Sequence, residues 1–126
     1  MSAEHYKSVV NDYIRLMAAG DWQSVANLYA ENATLEDPVG TEAIHGIAAI
    51  TEFYKKNTHP SVALKLNLLG AIRVAGNQAA FPFGVTLTLE GKRMRVEVID
   101  IFQFDAQGKI VSMKAYFGPE NFVPAE

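Results

Sequence analysis

Apolar residues recur at three- and four-residue steps over the first part of the chain and at two-residue steps over the second. In "AEHYKSVVNDYIRLMAAG", Tyr6, Val9, Val10, Tyr13, Ile14 and Met17 form one stripe of an amphipathic helix. Ser2 has the chemistry of an N-cap, Glu4 suits the N-terminal dipole, and Gly20 ends the helix. Asp21 then caps a second helix carrying Trp22, Val25, Ala26, Leu28 and Tyr29. "ATLED" reads as a short strand ended by Pro38 and Gly40, with Ala33, Leu35 and Asp37 on one face and Thr34 and Glu36 on the other. Gly46 opens a third helix that buries Ile47, Ile50, Phe53 and Tyr54, and Lys55 and Lys56 suit its C-terminal dipole.

From about Val62 the period becomes two. Turn signals "AGN", "EGK" and "DAQGK" divide this half into about four strands joined in sequence, an antiparallel meander. One face holds Phe81, Phe83, Val85, Leu87 and Leu89, then the even positions from Met94 to Phe104, then Val111, Met113, Ala115 and Phe117. Pro82 fits only at an edge, at a bulge, or where its missing N–H is not needed. The other face of "RVEVIDIFQF" carries Arg95, Glu97, Ile99, Ile101 and Gln103, suited to solvent or a subunit interface. Helices followed by a meander predict an α+β fold, three N-terminal helices packed on a curved antiparallel sheet.

The 126 residues suit a single domain, 1–126, large enough for a core. A net charge of −3 offers nothing to nucleic acid. The N-terminus lacks the pattern of a signal peptide and no apolar run reaches membrane-span length, so a soluble cytoplasmic protein is expected. Cysteine is absent. His5, His45 and His59 form no metal-ligand spacing, and no nucleophile elbow, phosphate loop or dinucleotide glycine motif occurs. A site without metal or cofactor, built from acids and tyrosines, is what remains.

Three residues stand out. Asp100 shares a strand face with Val96, Val98, Phe102 and Phe104. Asp37 closes a strand on its apolar side, and Tyr13 lies on the buried stripe of the first helix. Each has an ordinary explanation: a buried ion pair or wet rim for Asp100, a turn before Pro38 for Asp37, core packing for Tyr13. Chemistry offers another. Desolvation raises a carboxyl pKa, and a protonated Asp100 beside the Tyr13 hydroxyl makes two donors for a developing enolate oxygen. A partly solvated, ionised Asp37 could then remove a proton α to the carbonyl.

With these residues in place, the chain resembles the bacterial ketosteroid isomerases, steroid Δ5-isomerases of the cone-shaped nuclear-transport-factor-2-like superfamily. The likeness runs collinearly from about Tyr6 to Gly118, strongest in "AAGDWQSVANLYAENATLEDPVG", "GIAAITEFY", "VIDIFQFDAQGKIVSM" and "AYFG". "LEDPVG" and "VIDIFQF" are its specific parts, because they carry the aspartates. The resemblance implies that Tyr13 and Asp100 are oxyanion donors and Asp37 the general base. Tyr54 and Tyr29 match a hydrogen-bond network behind Tyr13. Phe53, Val85, Met113, Ala115 and Phe117 match pocket-lining positions, although Phe117 is tryptophan in one branch. A deep apolar cavity, a 3-oxo-Δ5-steroid substrate, no cofactor and a homodimer paired through the sheet are further implications. Alternatives are another cone-fold enzyme, a cyclase or dehydratase, for which His45 is the one histidine near a rim, or a non-catalytic carrier of apolar ligands.

Overall fold

A computed structural model describes residues 2–58 and 65–125, and the side chain of Leu89 is outside the description. His59 and Val62, the expected start of the meander, therefore lie outside the described residues.

Helix α1 spans Ala3–Ala19 and α3 spans Ile47–Asn57. The Ser2 hydroxyl caps α1 by accepting the His5 N–H at 3.2 Å, and Gly20 ends it at φ 72°, in the left-handed region that glycine enters without steric penalty. Its buried residues are Tyr6, Val9, Val10 and Tyr13. Asp21 caps α2, but α2 is only Trp22–Ala26. Leu28 and Tyr29, expected on that helix, lie beyond it. Tyr29 opens strand β1, Tyr29–Glu36, four residues earlier than "ATLED" suggested. The Ile110 N–H donates to the Leu28 carbonyl at 3.0 Å, so a sheet neighbour takes the backbone group that another helical turn would have used.

The remaining strands are β2 (Ile44–His45), β3 (Lys65–Leu68), β4 (Arg73–Ala75), β5 (Gln78–Leu89), β6 (Lys92–Phe104), β7 (Ile110–Tyr116) and β8 (Phe122–Pro124). The sheet order is β2-β1-β7-β6-β5-β3, with β4 also on β5 and β8 on β6. β5, β6 and β7 form the expected meander. β1 then runs parallel to β7, which makes the sheet mixed. The architecture is α+β, and one sheet face carries the apolar core.

Two local features refine the pattern. Pro82 lies inside β5, and its carbonyl accepts the Leu69 N–H at 2.9 Å. The polar edge of residue 82 thus points away from β6, toward the break between β3 and β4, where no ladder asks for its missing N–H. On β7 the register slips between Gln103 and Phe104. The extra residue brings Ile110, not Val111, to the buried face; Ile110 is inaccessible and Val111 half-buried.

Phe81, Phe102, Leu35, Ile50, Val10 and Val25 are completely buried between helices and sheet. Each such side chain contributes roughly 1.5–3 kcal/mol of apolar burial. The outer face of the sheet leaves Ile99, Tyr116, Leu69 and Val39 exposed around a shallow groove of about 580 Å³.

Candidate active site

A cavity of about 430 Å³ lies between α1, α3 and the concave side of β5, β6 and β7. Its inner end is formed by the buried side chains of Tyr13, Tyr54, Asp100 and Ala115. Its walls are apolar: Phe53, Phe83, Val85, Val96, Val98 and Phe117. Lys56, Asn57 and Phe122 are exposed and mark the mouth. Phe53, Val85, Ala115 and Phe117 thus line the cavity, as expected. Met113 does not. It is 1% exposed, flanked on the neighbouring strands by its register partners Leu35 and Phe102, both inaccessible, so Met113 is core. His45 is exposed on β2 and is not part of the lining.

Asp100 sits in the middle of β6, 1% exposed. Neither carboxylate oxygen has a hydrogen-bond partner among the described residues. Burial pushes its pKa well above the usual carboxylate range, and the charge of Asp37 pushes it further. The Tyr13 hydroxyl only moderates this rise. Both influences favour the protonated carboxyl, whose proton would find no acceptor among the described residues.

Tyr13 comes from the buried stripe of α1. Its ring stands edge-on to Phe102 at 5.1 Å and to Phe81 at 6.2 Å. Burial holds its phenol well above the ordinary tyrosine pKa, so it keeps its proton. Behind it the Tyr54 hydroxyl donates to the Tyr13 oxygen at 3.5 Å, and the Tyr29 and Tyr54 hydroxyls lie 2.6 Å apart. The hydroxyls run in the order Tyr29, Tyr54, Tyr13. Because Tyr54 donates to Tyr13, the Tyr13 proton is left to point into the cavity.

Asp37 follows β1 directly, and its peptide bond to Pro38 is cis. It is half-buried at the cavity wall, and desolvation raises its pKa from 3.8 to about 6. It is mostly ionised at pH 7. Its position follows from the parallel pairing of β1 and β7. Glu36 pairs with Lys114, so the next step sets Asp37 alongside Ala115, and Ala115 faces Asp100 on β6. The Val39 N–H anchors this turn by donating to the Ala115 carbonyl at 2.8 Å. Two acids thus flank one alanine across three strands. The arrangement sets Asp37, Tyr13 and Asp100 around one apolar space. No group of three or more metal-ligating side chains occurs among the described residues.

A family model described as "SnoaL-like domain" matches residues 10–113. The chain belongs to the SnoaL-like family. Among SnoaL-like relatives, a protein named "Steroid Delta-isomerase" from Nocardioides simplex is 42% identical over 123 residues, 98% of this chain and 97% of that protein. "Epoxide hydrolase LasB" from Streptomyces lasalocidi is 28% identical, covering 89% of this chain but 41% of its own length. A solved structure described in connection with an epoxide hydrolase/cyclase-like enzyme, SalBIII, superposes with a TM-score of 0.88 at 26% identity, over 97% of both chains. The fold is thus the cone shared by SnoaL-like proteins, and the nearly full-length relationship to a steroid isomerase supports an isomerase. Among the described residues no helix is long and apolar enough to cross a membrane.

Sequence reasoning missed Met17, Lys56, Asn57, Thr58 and Phe122 as cavity residues. Met17 lies one turn beyond Tyr13 on the same stripe, which is a usable signal. Phe122 follows a turn at Pro119–Asn121 that periodicity does not read.

Proposed function

We propose that this protein is a 3-oxo-Δ5-steroid isomerase, moving a C=C bond from β,γ to α,β relative to a ketone. The observation that carries the proposal is the buried Asp100 carboxyl, without a hydrogen-bond partner among the described residues, in one cavity with the Tyr13 hydroxyl and the half-buried Asp37. The ketone oxygen lies at Tyr13 and Asp100, with the steroid rings against the apolar walls. Asp37 takes a proton from C4, and the electron pair moves into a dienolate whose charge collects on O3. Tyr13 and neutral Asp100 donate to that oxygen and stabilise it more than they stabilise the ketone. Asp37 then returns the proton to C6. Ketosteroid isomerases are themselves the standard case of such a base paired with a protonated acid. Copies pair through the outer sheet face, as the resemblance implies, and on that face Ile99, Tyr116 and Leu69 are exposed; sedimentation of Ile99→Glu as a monomer checks this.

The test is the ultraviolet absorbance of 5-androstene-3,17-dione incubated with the protein. A conjugated enone is expected, and it is expected to vanish with Asp37→Asn. An unchanged spectrum with the natural sequence overturns the proposal. The alternative is acid–base opening of an epoxide, favoured by the likeness to the epoxide hydrolase/cyclase-like structure. A neutral acid can protonate an epoxide oxygen while a carboxylate directs the nucleophile. Turnover of an epoxy-alcohol, with no enone from the steroid, selects it.

A further inference from the structure

The catalytic reading uses the inner end of the cavity and leaves the last turn of α3 unexplained. Thr58 lines the cavity and is completely inaccessible to solvent, yet among the described residues its hydroxyl has only a thioether acceptor, Met17 Sδ at 3.4 Å. Sulfur is a weak acceptor, so a buried hydroxyl there is poorly satisfied. The position is systematic. Met17 and Thr58 each lie four residues beyond Tyr13 and Tyr54, about 6 Å further along their helices. One contact pair, Tyr13 with Tyr54, serves the ketone end, and the next pair opens toward the mouth.

Two residues before Thr58, Lys56 also lines the cavity, at its exposed edge. The helix end does not require it. The Phe53 and Tyr54 carbonyls already accept the Asn57 amide at 2.8 Å and the Thr58 N–H at 2.8 Å. Lys55, not Lys56, sits over the Trp22 ring at 5.6 Å. Among the described residues Lys56 is the single cationic side chain of the lining.

We infer that Thr58 and Lys56 form a second polar subsite, selecting ligands that carry an acceptor oxygen, above all a carboxylate, at the end remote from the ketone. This rests on the steroid-isomerase reading for the ligand skeleton. Under it, the remote end is C17, and the preferred substrates are ketosteroids with an acidic C17 substituent over those that are apolar there.

The test is calorimetric titration of the intact protein with three enones: 4-androsten-3-one, 4-androstene-3,17-dione and 3-oxo-4-androstene-17β-carboxylate. Kd is expected to fall about threefold or more from the first to the second, the effect of one hydrogen bond. A further fall of about fivefold is expected for the acid, weakened by added salt. Thr58→Val is expected to remove the first step and Thr58→Ser to keep it. Lys56→Met is expected to remove the second. Equal Kd values for the three ligands, no binding of any, or steps that survive Thr58→Val and Lys56→Met, overturn the inference. Enone formation from 5-androstene-3,17-dione without these steps refutes the subsite alone. The steps without enone formation refute the isomerase reading and leave the subsite standing.

Discussion

Asp37→Asn should abolish isomerisation and at the same time stabilise the fold. In the folded protein Asp37 titrates at about 6 against an ordinary 3.8, because burial penalises its charged form. Below 3.8 both folded and unfolded chains hold the proton, so the residue is neutral in the stability balance. As pH rises from 3.8 to about 6, the unfolded chain releases the proton while the folded one keeps it. Stability then falls by about 1.4 kcal/mol per pH unit. Above about 6 both states are ionised and the loss levels off near 3 kcal/mol. Asparagine carries no charge to desolvate. Asp37→Asn should therefore match the natural protein near pH 4 and exceed it by up to about 3 kcal/mol at pH 7. Urea unfolding of both proteins from pH 4 to 8, taken as the difference between them, isolates this group and its coupling to Asp100 from the other carboxylates. A difference that stays constant across that range, or a variant less stable at pH 7, would refute a desolvated Asp37.

The same ionisation should appear in kinetics: kcat/KM should rise tenfold per pH unit up to about 6 and then level, whereas a limb near 4 would place the base in water. Tyr13→Phe should lower kcat by roughly a hundredfold, the effect of one oxyanion donor. Tyr54→Phe should cost less and Tyr29→Phe least, since each is one hydroxyl further from the cavity; the reverse order would rule out the relay. Val98→Thr, nearly isosteric and on the Asp100 face, should lower kcat by supplying polarity beside the acid, and an unchanged kcat would show that apolar surroundings are not what keeps Asp100 protonated.

Much of this site was readable from periodicity. Strict alternation through "VEVIDIFQF" places Asp100 inward, and the structure has it 1% exposed. The stripe of α1 places Tyr13 correctly because helix spacing is rigid. What escaped depends on contacts between distant segments. Tyr29 continues a helical pattern by sequence but pairs with Ile110, and long-range pairing overrides a short local preference. The parallel joining of β1 to β7 leaves no turn signature, since no hairpin connects them. One inserted residue exchanges Val111 for Ile110, and no composition cue marks the slip. Met113 and Ala115 share a parity, yet only depth in the cone separates core from cavity. Lys56 reads as an ordinary helix end and Thr58 carries no sequence signal, because the cavity beside them is made by other strands.

The alanine between the two aspartates has a consequence for how this site could diversify. Two strand spacings are about 10 Å. That is the separation of the two backbones, and across it the charge on Asp37 contributes to the raised pKa of Asp100. The interval is fixed by backbone hydrogen bonding and not by side-chain packing, so it survives changes in the lining. The sheet acts as a ruler holding two carboxyl groups apart, and residue 115 lies between them. Lineages on this scaffold could therefore change substrate by altering the filler and the mouth, leaving the proton-transfer pair at its inherited separation.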